Sequence, residues 1–124
     1  MTIDETPFQG RQWSAAVEKI VSEEEVVANG DSGTLTGYGP GSTIRAQLKV
    51  TSGVGGTLDV VIEDSLDGTT WNTIGTFTQA TTVTREVINI TTPFSDTLRV
   101  RWTVGGGAPD FDFEVDWAIQ ASNA

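Results

Sequence analysis

Hydrophobic and polar residues alternate with a period of two over several separate stretches of this chain, which is the pattern of strands with one buried face. From Thr43 to Thr51, Ile44, Ala46, Leu48 and Val50 fall on one side, and Arg45, Gln47, Lys49 and Thr51 on the other. Leu58, Val60 and Ile62 alternate in the same way with Asp59, Val61 and Glu63. From Thr97 to Val104, Leu98, Val100, Trp102 and Val104 alternate with Arg99, Arg101 and Thr103. From Phe111 to Ile119, Phe111, Phe113, Val115, Trp117 and Ile119 alternate with Asp112, Glu114, Asp116 and Ala118. Weaker patterns predict strands over Glu23–Gly30, with Val26 and Val27, over Trp71–Thr78, and over Val83–Ile90, where β-branched residues are dense. Thr34–Tyr38 is either a short strand or a connection.

Turn chemistry separates these stretches. Asn29–Gly33, Gly39–Ser42, Ser52–Gly56, Asp64–Thr70 and Gly105–Asp110 are rich in Gly, Asp, Asn and Ser, the residues that tolerate positive φ or bond their own backbone. Pro93 cannot donate to a ladder and marks a strand end or turn. Two hairpins are predicted. In the first, Asp64 faces Trp71, Ile62 faces Thr73 and Leu58 faces Phe77. In the second, Val104 faces Phe111, which sets Arg101 opposite Glu114, Arg99 opposite Asp116, Trp102 against Phe113 and Leu98 against Trp117. Opposite charges facing each other favour that register by roughly 0.2–1 kcal/mol each. About seven or eight short strands with almost no helix predict an all-β chain, an antiparallel β-sandwich or jelly roll, with strand order open.

Residues 1–20 differ from the rest and form an N-terminal arm ahead of a β-sandwich domain at 21–124. Met1–Gly10 has no periodicity and contains Pro7 and Gly10, as in an extended segment. Ser14–Ile20 predicts one or two helical turns, with Ser14 as cap and Val17 and Ile20 on one side. So short a helix is marginal unless packed. Phe8 and Trp13 are large apolar groups in a polar setting. Either they fold back onto their own domain, or they anchor a neighbouring subunit, since aromatics dominate interface hot spots. Phe8, Trp13, Val17 and Ile20 are therefore the candidate partner-binding residues.

Composition narrows the chemistry. At 124 residues the size prior is one domain with a core that needs no staple. There is no Cys and no His, so thiol chemistry, Ser-His-Asp and Cys-His schemes are impossible within the chain, and the commonest transition-metal ligand is missing. Seven basic and 17 acidic residues give a net charge of −10. With only Lys19 and Lys49 and scattered arginines, neither nucleic acid nor an anionic membrane is an expected partner. The N-terminus lacks a basic region followed by an apolar run, so no signal peptide is expected and synthesis in a cytoplasm fits. No apolar stretch approaches the ~20 residues of a membrane helix.

Carboxylates are the only candidate catalytic groups. Asp64 and Asp67 resemble a glycosidase pair in type, but such a pair needs one acid in an enclosing apolar cleft. Asp64, Ser65 and Asp67 are better explained as formers of an exposed turn. Asp64 and Asp67, or Asp110 and Asp112, offer hard oxygen ligands for calcium, yet neither spacing matches an EF-hand loop. Gly105-Gly106-Gly107 joins two strands with no helix N-terminus behind it and is a hairpin loop rather than an anion cradle. Trp71, Trp102 and Trp117 have inward parity and belong to the core, which leaves Tyr38 and Trp13 as free aromatics for stacking a sugar. No catalytic, cofactor-binding or metal-binding residue is assigned, and no cofactor is expected.

Two resemblances rest on these residues. Ser65-Leu66-Asp67-Gly68-Thr69-Thr70-Trp71 resembles the SxDGxxW turn of discoidin-type and carbohydrate-binding β-sandwiches. It is close to the sialidase Asp-box, from which it departs by lacking the residue between Asp and Gly. In those families the motif is mainly structural. Over residues 43–119, LDVVIEDSLDGTTWNTIGTFTQ, then PFSDTLRVRWTV, then APDFDFEVDWA resemble small virion proteins of tailed bacteriophages. That resemblance implies a β-sandwich of the head or head–tail region, located in the virion, with no catalytic residues. The expected function is a non-enzymatic structural protein, foremost a capsid decoration or cement protein. Its implied partners are the major capsid protein or other virion proteins, in a homo-oligomer or symmetric array. The alternatives are a neck or tail component and a carbohydrate-binding adhesion module.

Overall fold

The computed structural model describes residues 17–38 and 41–121. Eight strands follow one another: β1 (Glu18–Val26), β2 (Gly30–Asp31), β3 (Gly41–Val54), β4 (Thr57–Ser65), β5 (Asn72–Thr76), β6 (Thr84–Ile90), β7 (Thr97–Gly105) and β8 (Asp110–Ala121). They form two antiparallel sheets of order β1-β8-β3-β6 and β2-β7-β4-β5. Within these sheets β4 pairs with β5, β3 with β6, β2 with β7 and β1 with β8. The chain is thus one long ribbon, turned back at β4–β5 and wrapped so that successive pairs fall in alternate sheets. This is the eight-stranded jelly roll.

The core lies between the sheets. Every inward position predicted on β3, β4, β7 and β8 is buried except Val104, which packs against the core while partly exposed. Period-two alternation has a simple cause here: each sheet has one face toward the core and one toward water.

Pairing departs from expectation in three places. The β4–β5 hairpin forms, but with Asp64 opposite Asn72 and Glu63 opposite Thr73. An irregularity after Ile62 then places Ile62 opposite Gly75, and Leu58 bridges Ala80. Phe77 is buried through its backbone bond to Val60, its N–H donating at 3.0 Å. Trp71 drops out of the ladder and is half-buried on the outer side, not inward.

β7 and β8 do not pair at all. β7 lies between β2 and β4, and β8 between β1 and β3. The Gly105–Asp110 segment carries the chain from one sheet to the other. Trp102 and Phe113 still meet, edge to face with centroids 5.3 Å apart, but across the core rather than side by side. A backbone corner explains the crossing. The β3–β4 connection, Gly55-Gly56, also changes sheets, and it packs against the β7–β8 connection. Ala108 N–H donates to Gly55 O at 3.2 Å. A Cβ on Gly55, whose φ is +81°, would collide with the Ala108 carbonyl, and one on Gly56 with the Gly105 carbonyl. Two glycines let two chain reversals touch.

The predicted helical turns give way to strand over Glu18–Ile20. β1 starts there and pairs Glu18 with Trp117 and Val21 with Val115. Burial of Val21 and Val26 against the core outweighs the weak local helix signal. β1 is irregular after Lys19 and after Glu23. At the second irregularity Glu25 takes φ +54°, and its N–H donates to Asp112 Oδ1 at 2.8 Å. Bulges and the exposed Glu23-Glu24-Glu25 run blunt this edge against further pairing. Among the described residues no helix is long and apolar enough to cross a membrane.

Candidate functional site

The acidic candidates at the β4–β5 turn are engaged in building it. Asp67 Oδ1 accepts the N–H groups of Thr69 (2.8 Å) and Thr70 (2.7 Å) and the Ser65 hydroxyl (3.1 Å), while Ser65 Oγ accepts Gly68 N–H at 2.7 Å. The Thr70 and Thr69 amides hold the Asp67 carboxyl well below the usual carboxylate range. A general acid needs the opposite shift. Asp64 is buried, and its Oδ2 accepts Ser95 N–H at 3.0 Å; Ser95 Oγ in turn donates to Ser65 O at 2.6 Å. These bonds tie the β6–β7 connection to the hairpin. An open groove of about 430 Å³ lies beside them, lined by Leu66, Pro93 and Phe94 as well as Asp64 and Asp96. Asp96 accepts Gly37 N–H at 3.0 Å. Asp112 is committed to the β1 bulge. Among the described residues no three acidic, His or Cys groups converge as a metal site.

The outer face of the β2-β7-β4-β5 sheet carries an ion cluster. Glu63, only 4 % exposed, accepts from Arg99 Nε at 2.6 Å and from Arg101 Nε at 3.1 Å. The Arg99 guanidinium lies 4.3 Å from the Trp71 ring centroid, a cation–π stack. The cation therefore occupies one face of the only half-buried tryptophan among the described residues. Trp102 and Trp117 are buried as expected. Tyr38 packs edge to face on Trp117, with centroids 5.7 Å apart, and its hydroxyl donates to Glu18 Oε1 at 3.1 Å. Burial, and then the Glu18 carboxylate, raise its pKa above the ordinary tyrosine value.

The outer face of the β1-β8-β3-β6 sheet carries Val17, the first described residue. Of the four arm candidates, Phe8 and Trp13 lie outside the described residues. Val17 is 68 % exposed and lines a hollow of about 170 Å³ together with Arg45, Gln47, Val87, Asp116 and Ala118. Ile20 is partly buried and packs against the core, so Val17 and Ile20 part company where the helix reading put them on one side. Lys19, Arg45, Lys49 and Arg85 all belong to this sheet. Lys19 and Lys49 reach Glu114 Oε1 at 3.2 and 3.8 Å, and Arg45 donates to Asn89 Oδ1 at 3.0 Å. These cations share the face with Asp112, Glu114 and Asp116, so it is mixed in charge.

Arg45, Ala118 and Asp116 were not among the candidate binding residues. Their outward parity is plain, but their meeting depends on β3 lying beside β8, which parity does not report. The Arg99–Trp71 stack was missed for a related reason: it needs Trp71 to leave the ladder.

No protein-family model matches the chain, and no curated protein matches it. Among solved structures, the PBSX exported protein XepA superposes with a TM-score of 0.65 at 15 % identity, covering 90 % of this chain and 39 % of that protein. The chain therefore spans about two fifths of XepA's length. A structure of infectious bursal disease virus, Gx strain, matches at a TM-score of 0.46 and 14 % identity over 91 % of this chain and 32 % of that one. At these identities the similarity to XepA is one of fold.

Proposed function

We propose that this protein is a non-enzymatic structural component of a bacteriophage virion, and foremost a decoration or cement protein of the head. The observation that carries the proposal is the jelly-roll strand order. That architecture serves viral capsid domains, lectins and cupins. A chain without His cannot build an imidazole-based metal centre, and the described carboxylates at the turn are spent on backbone amides. A lectin-like role needs an open aromatic platform, whereas Arg99 covers one face of Trp71. The virion role has support from the fold similarity to the PBSX exported protein XepA and from the phage-like run over residues 43–119.

In this role the domain adds contact area between capsid subunits and stabilises the shell by mass action. A stable contact needs about 800 Å² per partner. The arm, with Phe8, contributes to it, and the outer β1-β8-β3-β6 face, where cations and carboxylates alternate, offers the remaining area. The test is to add purified protein to capsids lacking it, and to image the particles by cryo-electron microscopy. Density for an ordered array over the head, with a higher temperature of capsid disruption, is the expected result. Density confined to one ring at the neck or tail would replace the decoration role by the neck or tail alternative. Binding to immobilised glycans but not to any particle would replace both.

A further inference from the structure

A sheet edge exposes a row of unpaired backbone N–H and C=O groups, which invites another strand unless something blunts it. Three of the four edges in this sandwich are blunted. β1 is irregular in two places and carries the Glu23-Glu24-Glu25 run. β2 has only two residues, and the chain around it stays bonded to β7. There Asn29 Oδ1 accepts Val104 N–H, Ser32 Oγ accepts Val100 N–H, and Leu35 exchanges two backbone bonds with Leu98. β5 has five residues, and its pairing with β4 slips at Ile74.

β6 has none of these safeguards. Its seven residues pair with β3 without a break, from Thr84 opposite Val50 to Ile90 opposite Ile44. It contains no Pro, Gly or Lys, and among the described residues no strand lies beyond it. Val87 on its outer face is exposed, as is Val83 just ahead of it. The charges point the same way. Across the outer face Glu114 of β8 lies opposite Lys49 of β3, and Lys49 lies opposite Arg85 of β6. Glu114 Oε1 is shared by Lys19 and Lys49, and Arg85 has no ion pair among the described residues. Like charges directly opposite each other are destabilising. The row reads acid, cation, cation, and an acid on a further strand would complete it.

We propose that the β6 edge is a docking site for an extended strand of another polypeptide, one that sets an acidic side chain opposite Arg85 and an apolar one opposite Val87. In strand addition the backbone bonds supply affinity, and the alternate side chains supply specificity. A second copy of this chain is the poorer occupant. β6 paired with its own copy about Val87 would set Arg85 opposite Asn89. That amide already accepts from Arg45, so two arginines would crowd it with no acid between them. β1 of a second copy is acidic, but its irregular pairing and the φ of +54° at Glu25 break its row of backbone groups. A net charge of −10 adds repulsion between copies.

The proposal rests on this edge and stands whether or not the protein decorates a capsid. It also gives the Lys49–Arg85 juxtaposition a reason. A like-charge contact that weakens the free domain becomes useful once an acid arrives beside Arg85.

The experiment titrates the full chain, 15N-labelled, with a synthetic peptide. The probe is acetyl-Val-Thr-Val-Val-Thr-Glu-Thr-amide, written to run antiparallel to β6 so that its Glu meets Arg85 and its central Val meets Val87. A second probe has Lys in place of Glu. Binding of the first is expected with a Kd on the order of 1 mM. Amide shifts are expected to centre on β6, with slower hydrogen exchange at its outward-facing amides. The lysine probe is expected to bind about fivefold more weakly, and Arg85→Glu to reverse the preference. Circular dichroism checks that this variant is folded, and the two probes on the parent chain carry the test should it not be. N-methylation of alternate probe amides on one edge is expected to abolish binding, and on the other edge to leave it intact. Equal binding of both probes would overturn the proposal. So would shifts centred on another edge or on the Leu66 groove, or no shift at about 5 mM probe. Outward β6 amides that already exchange as slowly in the free protein as those of β3 would also overturn it, because the chain itself or a second copy would then cover the edge.

Discussion

At the scale of single residues, two carboxylates carry opposite lessons about exposure. Asp67 is fully exposed, yet its carboxyl titrates well below the usual range, because two amides and a hydroxyl converge on one oxygen. Its folded-state pKa is depressed. The stability it contributes is therefore fully present above the ordinary aspartate pKa of ~3.9 and is lost as pH falls below that value toward the folded pKa. Asp67→Asn is expected to be less stable than the parent by a constant margin above about pH 5. The margin should shrink steadily below about pH 4, as followed by urea unfolding from acid to neutral pH. A margin that grows on acidification would contradict the hydrogen-bond geometry. Glu63 is the reverse case, a buried carboxylate held between Arg99 and Arg101. Removing it leaves two neighbouring cations on β7 without the carboxylate that joins them. Full burial would make that loss about 3–5 kcal/mol. With Arg101 41 % exposed on its side chain, solvent screens part of it, and Glu63→Ala is expected to lose about 2 kcal/mol. The urea midpoint measures the loss, with an unchanged m-value showing that the folded state keeps its extent.

At the scale of elements, strands were legible and neighbours were not. Alternation reports which face of a strand is buried, so inward residues such as Ile44, Leu98, Phe113 and Trp117 could be placed from the sequence. It cannot report which strand lies alongside. The Arg99, Arg101, Glu114 and Asp116 set looked like a facing hairpin, but Glu63 takes both arginines while Glu114 takes the lysines. A short glycine loop is compatible with either a hairpin or a change of sheet. What decides is the Gly55-Gly56 corner, a contact between chain segments far apart in sequence. Gly55→Ala is therefore expected to be costly, at least about 2 kcal/mol, since a positive φ alone costs about 1–3 kcal/mol and the new Cβ meets the Ala108 carbonyl. Gly107, with open space around its Cβ position, is the control, and Gly107→Ala is expected to leave the urea midpoint nearly unchanged. A second prediction follows from like charges. Lys49 sits directly opposite Arg85 on the outer face. Arg85→Glu converts that contact to an attractive pair and is expected to stabilise the protein by about 0.2–1 kcal/mol, with the gain reduced at high salt.

At the scale of the whole molecule, the wrapped ribbon brings the two ends of the described chain together. β1 and β8 come from opposite ends and lie side by side, and β1 covers an edge that β8 would otherwise expose. A division into arm and domain at residue 20 cuts through β1, although the arm's character changes near there in composition. The physical boundary lies closer to Val17, where the chain meets the sheet. This sets the reagent for testing the arm. A chain of residues 17–124 is expected to fold with the unfolding cooperativity and m-value of the parent, and to lose only what the arm itself contributes. A chain of residues 27–124 lacks all of β1, including Val21 and Val26 from the core. It leaves β8, a twelve-residue strand, with an unpaired row of backbone donors and acceptors, which is a template for association with other chains. It is expected to aggregate or to unfold at much lower urea. Size-exclusion chromatography with light scattering separates the outcomes. If the 27–124 chain stays monomeric and cooperative, β1 is dispensable and the true domain is smaller than the jelly roll. If the 17–124 chain already aggregates, residues 1–16 cover surface essential to the fold, and partner binding can no longer be assigned to the arm by deletion alone.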